Sequence, residues 1–220
     1  MFDQGWSSAA DADLLEPWNR PTSSVRPNGC AALELEGATL NPADLTDADV
    51  VEAIRAFDHL VSWAGARQAR MLAEFARRRP PSRTDVIDRS TAGPVSVWAP
   101  DEIGLALTLS RGTAGDRIER AVRLSQVLPA TLAAWDGGLL DVAKVNAIHD
   151  ATLCLSDTAA QAVQDRVLPR APTQTIAQLR AALERAVIAV DPAGADARHR
   201  KAHRQRRVAI NPDRDGMASL

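Results

Sequence analysis

The sequence predicts a mainly α-helical fold with a long N-terminal helical arm, a multi-helix core and a short C-terminal strand. Apolar residues recur at steps of three and four from Leu45 onwards, which is the repeat of one helix face. Start and stop signals, such as Pro100 ahead of two acidic residues, divide this pattern into separate helices. Near the C-terminus, Val208 to Ile210 and the following NPDRDG predict a strand and a sharp reversal.

Composition limits the class of protein. The chain has 220 residues, 45% of them hydrophobic and 25% charged, as in an ordinary globular protein with a sizeable core. Cys30 and Cys154 lie too far apart for a disulfide framework or a metal knuckle, which favours a reducing compartment. The N-terminus has neither the basic nor the apolar region of a signal peptide, and no apolar run approaches the ~18 residues of a membrane span. We therefore expect a cytoplasmic protein that neither spans nor binds a membrane.

Prolines and changes of composition divide the chain into four parts. Pro17, Pro21 and Pro27 forbid a long helix near the N-terminus, where we expect at most a short helix around Leu33. The predicted parts are a flexible leader (1–44), a long helix (45–79), a loop (80–99), and a helical core with a basic helix (100–220).

The predicted long helix carries a coiled-coil-like seam. Thr46 and Asp49 have the spacing of a capping box at its start. After them, alternating steps of four and three residues connect the seam positions Val50, Ile54, Phe57, Val61, Ala64, Gln68, Met71 and Phe75. The favoured interpretation is that this seam packs on the core of the same chain. The alternative is a homo-oligomer formed through the Val50–Phe75 helix, since a polar seam residue such as Gln68 can set the register of a pair.

Four short helices are predicted between Pro100 and Leu155. Ser110 is the expected N-cap of the second, whose inward residues are Ala114, Ile118, Ala121, Val122, Leu124 and Leu128. Pro129 starts the third, which buries Leu132 and Trp135 and stops at Gly137 and Gly138. Asp141 caps the fourth, with Val142, Val145 and Ile148 inside.

Two further helices follow in the pattern. Ser156 and Asp157 start one that buries Ala159, Val163 and Val167. Pro172 and Thr173 open the next, whose apolar stripe is Ile176, Leu179, Leu183, Val187 and Val190.

The strongest functional signal is a basic run from Arg198 to Arg207. It contains six cationic residues and no acidic one, while the remaining 20 basic and 28 acidic residues give the rest of the chain a charge of −8. On a helix, such a run can contact several phosphates of DNA. The alternative is a solvated helix that forms salt bridges with acidic parts of the same protein. The candidate nucleic-acid-binding residues are Arg198, Arg200, Lys201, Arg204, Arg206 and Arg207.

Three other groups are weaker candidates. Asn146, His149 and Asp150 lie together on one predicted helix, but no nucleophile or metal partner accompanies them, which favours a polar helix edge. His199 and His203 have the i, i+4 spacing of a helical zinc site, without a third ligand and among cations that repel a metal. The tryptophans Trp63, Trp98 and Trp135 are predicted to be core residues and not stacking platforms.

The order of these signals resembles an actinobacterial family, the 13E12-repeat proteins, whose shared region is known as domain of unknown function 222. The matching pieces, from about Leu45 onwards, are VWAPDEIGLALTLS, AGDRIERAVRLSQVLPATLAAWDGGLLDVAKVNAI, ALERAVIAVDPAGADARHRKAHRQRRVAI and PDRDGMASL. In that family the helical region commonly precedes an HNH endonuclease module, so the resemblance implies nuclease-associated biology.

The resemblance transfers no catalytic residue. An HNH nuclease needs one histidine on a metal and another that activates water, often with paired cysteines as a brace. This sequence has four histidines and no CxxC pair, and we expect it to be truncated at the C-terminal end of the shared region. The predicted function is a non-catalytic, DNA-associated helical module without cofactor or metal. The alternatives are a self-associating interaction module and an inactive remnant of an HNH nuclease.

Overall fold

The mainly α-helical fold is confirmed by a computed structural model, which describes residues 24–81, 95–194, 211–212 and 218–219. The α-helices in these ranges are α1 (Gly29–Ala38), α2 (Asp47–Arg78), α3 (Ala99–Leu107), α4 (Arg111–Gln126), α5 (Pro129–Asp136), α6 (Val142–Thr152), α7 (Asp157–Val167) and α8 (Ile176–Val190). Short 3-10 turns occupy Pro42–Asp44 and Ala171–Thr173. The two strands are β1 (Asn211–Pro212) and β2 (Ala218–Ser219).

The strands form one antiparallel pair, with Asn211 opposite Ser219 and Pro212 opposite Ala218. The sequence placed a strand at Val208–Ile210, and these three residues lie outside the described ranges. The short helix expected around Leu33 corresponds to α1.

Side-chain caps fix where the helices begin. The hydroxyl of Thr46 accepts from the amide of Asp49, whose carboxylate in turn accepts from Thr46, so the capping box of α2 is present. Ser110, Asp141 and Ser156 cap α4, α6 and α7 as predicted. The start of α8 differs from the prediction, because Pro172 and Thr173 lie in a 3-10 turn. Its N-cap is Thr175, which forms a capping box with Gln178.

The main core lies between the second half of α2 and helices α3 to α8. Its fully buried side chains, most of them predicted from the helical spacing, include Ile118, Leu124, Leu128, Leu140, Val145, Ile148, Val163, Leu179 and Leu183. Val142 was predicted to be inside but is 53% exposed, because it is the first residue of α6 and lies at the edge of the bundle. Buried Thr131 donates through its amide and its hydroxyl to Gln164 Oε1, at 2.9 and 3.0 Å, which ties α5 to α7.

Helix α2 packs on two different partners along its length. Its second half contributes Ala66, Ala69, Leu72 and Ala76 to the main core, whereas Ala53 and Ala56 in its first half form a separate small cluster with Leu35 of α1. The predicted packing of the seam on the chain's own core is wrong over most of its length. Ile54, Val61 and Met71 are 65%, 70% and 65% exposed.

The reason for this error is the size of the residues on the buried face of α2. That face consists largely of small residues, which allow a neighbouring helix to approach closely. At Gly65, a Cβ atom would lie 2.6 Å from Trp135 Cζ2, so the indole ring of α5 occupies the space that a side chain would need. A large side chain is therefore excluded at Gly65, and most of the large apolar residues of α2 lie on another face, with Leu72 as the exception.

Candidate functional site

The basic run begins at Arg198, eight residues after the end of α8. Helix α8 ends at Val190, and Asp191 Oδ1 accepts from the amide of Gly194 at 3.0 Å, where a new helical turn begins. The six candidate residues Arg198, Arg200, Lys201, Arg204, Arg206 and Arg207 lie outside the described ranges, as do His199 and His203.

The polar group on α6 is divided between different grooves. His149 Nδ1 lies 2.9 Å from Asp150 Oδ1, and His149 is buried. Asn146 and Asp150 line a groove of about 780 Å³ between α6 and α8, whereas His149 lines a groove between α4 and α6 that also contains Asp150. Neither of these two grooves is lined by all three side chains. In the part of the chain that the structure describes, no three or more histidine, cysteine or acidic side chains converge as they would on a metal ion.

The most strongly organised charge in the described ranges is the buried carboxylate of Asp136, whose side chain is 4% exposed. Oδ2 accepts from Arg26 Nη2 at 3.2 Å and lies 3.5 Å from Arg70 Nη2. Oδ1 lies 3.1 Å from Arg67 Nε, an ion pair without the alignment of a hydrogen bond. Three guanidinium groups thus share one carboxylate, and they connect the segment before α1, helix α2 and the end of α5.

The position of Asp136 explains why it needs several cations. It is the last residue of α5, where the helix dipole disfavours a negative charge. Burial adds the cost of removing a carboxylate from water. The sequence analysis did not predict this site. The available signal was an acidic residue in the last turn of a helix, directly before Gly-Gly, because the helix dipole makes that position unfavourable unless a cation lies nearby.

The LPATLAAWDGG segment, one of the signatures on which the resemblance was based, connects several packing contacts. Within it, Trp135 packs on Gly65 and Asp136 binds the arginines. Gly138 has a φ of +76°, and a Cβ there would lie 2.9 Å from His59 Cβ, so both the backbone conformation and the space require glycine. Contacts with α2 therefore account for Trp135, Asp136 and Gly138 of this signature.

A groove of about 410 Å³ lies between α2 and α4, next to these contacts. Three of the polar atoms buried without a partner belong to residues that line it: Trp135 Nε1, Arg120 Nε and Asn146 Oδ1. Two are donors and one is an acceptor, which makes the groove suitable for ordered water. Its rim includes Val61 and Gln68 of the exposed seam.

The other two tryptophans differ from the prediction that they are core residues. Trp98 is 55% exposed, because it is the N-cap residue of α3 and lies outside the first turn. Trp63 is half-buried, and the guanidinium carbon of Arg67 lies 5.8 Å from its ring centroid.

Arginines at the end of α2 are engaged with carboxylates. Glu74 accepts hydrogen bonds from Arg77 and Arg78 at 2.7 Å, and these bonds lower its pKa from 4.5 to about 2. Arg79 donates two hydrogen bonds of 3.0 Å to Glu102, which lowers the pKa of that carboxyl group as well. Much of the positive charge at this end of α2 is therefore neutralised within the chain.

Comparison with known proteins identifies a family for this chain but no individual protein that matches it. No curated protein and no solved structure matches the chain. In the described part, no helix has both the length and the apolar character that a bilayer crossing requires. A family model matches residues 66–220, which is more than half of the chain. The protein therefore belongs to the family of the Domain of unknown function (DUF222).

Proposed function

We propose that this chain is a non-catalytic helical module that associates with DNA through its basic run, next to an HNH endonuclease module in the biology of its family. The observation that carries the proposal is the concentration of six cationic residues and no acidic one between Arg198 and Arg207, in a chain that otherwise has a charge of −8. Phosphate contacts of this kind give sequence-independent affinity for DNA.

Two features of the described residues support DNA binding by the basic run and a non-catalytic role for the helical core. The arginines at the end of α2 already bind Glu74 and Glu102, and those around Asp136 bind a buried carboxylate. The polar residues of α6 are spread over different grooves, an arrangement that favours a scaffold over a catalytic centre.

The test is binding of the full chain to a fluorescently labelled DNA duplex at several salt concentrations. If all six basic residues contact phosphates, the logarithm of the binding constant should fall with the logarithm of salt concentration with a slope of about −5. Replacing Arg198, Lys201 and Arg204 by glutamine should reduce the magnitude of that slope by about 3.

A matched control distinguishes phosphate contacts made by the basic run from a general effect of the net charge of the chain. Replacing Arg166, Arg170 and Arg185 by glutamine removes the same charge from exposed positions on and beside α7 and α8. We expect this variant to bind nearly as the natural chain does. Equal losses in the two triple variants, or no binding at low salt, would refute the proposal. Cleavage of the duplex in the presence of Mg²⁺ or Mn²⁺ would contradict its non-catalytic part.

A further inference from the structure

We propose that two copies of this chain pair through helix α2, in an antiparallel arrangement. The surface consists of the seam residues named above, which recur at heptad spacing from Val50 to Phe75. Ile54, Phe57, Val61 and Met71 are large apolar residues of this seam and are 44% to 70% exposed. An apolar stripe that is this long and regular is unusual on a free surface and typical of a coiled-coil partner face.

The spacing of the seam is symmetric about its centre, which favours a two-fold axis at that point. The steps read 4-3-4-3-4-3-4 in both directions along the helix. In an antiparallel pair, Val61 lies at the level of Ala64 of the second copy, and Ile54 at the level of Met71. The outer layers then bring Val50 to the level of Phe75, and both of these residues are half-buried within their own chain. Each large residue thereby meets a residue of the same seam, as an isologous interface requires.

The charges of α2 select the antiparallel orientation. Residues 47–61 contain four acidic residues and one arginine, a formal charge of −3, whereas residues 62–78 contain four arginines and one glutamate, a formal charge of +3. In the second half, Arg67 and Arg70 share the single charge of Asp136 with Arg26, so a positive excess persists there. An antiparallel pair places the acidic half against the basic half, while a parallel pair places like charges together.

Packing within one chain leaves room for this partner. The first half of α2 contacts α1 through Ala53 and Ala56, and the second half contacts the main core through Ala66, Ala69 and Leu72. Neither set belongs to the seam. The helix is therefore covered on different sides in its two halves. The seam stays accessible from Ile54 to Met71, while Phe75 at its C-terminal end is half-buried and packs against the main core.

Pairing would also close the groove between α2 and α4. Val61 and Gln68 belong to the seam and line that groove, so a second helix lying on the seam would cover its rim. The buried polar atoms of Arg120, Trp135 and Asn146 would then be separated further from bulk water.

Sedimentation equilibrium of the full chain over a wide concentration range tests the pairing. The apparent mass should rise from 23.6 kDa towards twice that value. Ile54→Glu should abolish the rise, because it places a charge in the seam. Leu105→Glu is the matched control, since Leu105 is 87% exposed on α3 and outside the seam. A monomer at every concentration, or equal association by the Ile54→Glu variant, would overturn the proposal.

Cross-linking tests the orientation. In a background with Cys30 and Cys154, both free and exposed, changed to serine, Ile54→Cys and Met71→Cys are prepared as separate single-cysteine proteins. A short bis-maleimide should link the two variants when they are mixed and should link neither variant to itself. Increasing salt should weaken the dimer, because screening removes the attraction between the acidic and basic halves. Self-linking of the Ile54→Cys protein, or a dimer strengthened by salt, would overturn the antiparallel arrangement.

Discussion

The two apolar faces of α2 differ in the size of their residues. The face that packs on the core carries mainly alanine, together with Gly65 and Ser62, whereas the exposed seam carries isoleucine, phenylalanine, valine and methionine. The small residues let α4 and α5 approach closely, and Trp135 fills the space above Gly65. Burial on this helix thus follows the shape of the neighbouring helices more than the hydrophobicity of each residue.

This contrast affects how a helix with two apolar faces is interpreted. A stripe of small residues allows a neighbouring helix to approach closely, and the buried face of α2 has such neighbours in the same chain. A stripe of large residues at heptad spacing is fitted to interdigitate with another helix. On α2 the exposed part of the second stripe, from Ile54 to Met71, has no such helix among the described elements, which is why we assign it to a second copy.

The largest expected effect tests the packed face. Gly65→Val should lower the free energy of unfolding by about 3 kcal/mol, because its side chain overlaps the indole ring of Trp135. The adjacent change Ala64→Val, on the exposed face, should cost only about 0.5 kcal/mol through helix propensity. Urea denaturation at a concentration where the chain is monomeric measures both values.

Helix propensity alone predicts the opposite order for the free energies of unfolding of these two variants. Glycine is a poorer helix former than valine, and alanine is a better one. Equal stabilities of the two variants would therefore show that Trp135 does not pack on Gly65. The comparison between the faces of α2 would then lose its physical basis.

A smaller effect is expected at the carboxylate that holds α5 against α2. Asp136→Asn should lower the free energy of unfolding by about 1 to 2 kcal/mol, because the arginines lose a charged acceptor. Their own exposure, 42% to 73%, keeps the loss moderate. Urea denaturation at low and high salt measures it, and the difference should shrink as salt increases. Asp116→Asn, at an exposed position of α4, is the control; an equally large loss there would contradict a specific role for Asp136.

Helix positions could be predicted from the sequence because their signals are local. The hydroxyls of Thr46 and Ser110 and the carboxylate of Asp141 each bind an amide three residues ahead, so the spacing alone identifies them. The inward residues of α4 follow from the same reasoning. The packing of the α2 seam could not be predicted in this way. Hydrophobic spacing identifies an apolar face of a helix, but it does not identify the partner that covers this face.

The contacts around Asp136 could not be predicted in the same way. Arg26 and Asp136 are 110 residues apart, and nothing local at Arg26 indicates the pair. The same holds for Gly65 and Trp135, whose contact depends on how α5 crosses α2. The family resemblance did find the segment that contains Trp135 and Asp136, and the structure supplies the packing reason for that segment.

The smallest expected effect is at the basic end of α2, where the exposed seam and the packed face both terminate. Hydrogen bonds from Arg77 and Arg78 lower the pKa of Glu74 from 4.5 to about 2. Since the pKa is lower in the folded than in the unfolded chain, the ion pairs stabilise the fold above about pH 4.5. That stabilisation is lost as the pH falls towards 2, because protonation removes the charge on which the arginines act.

Glu74→Gln should therefore slightly destabilise the chain at neutral pH and leave its stability unchanged near pH 2. Chemical denaturation across this range measures the difference, and an NMR titration of the Glu74 carboxyl carbon locates the pKa directly. Glu184→Gln serves as the control, because Glu184 is exposed on α8 and forms no ion pair among the described residues. The effect stays small because solvent screens an exposed pair. A Glu74 carboxyl that titrates near 4.5 would show that its hydrogen bonds to the arginines do not persist in solution, and that this end of α2 offers free positive charge to a partner.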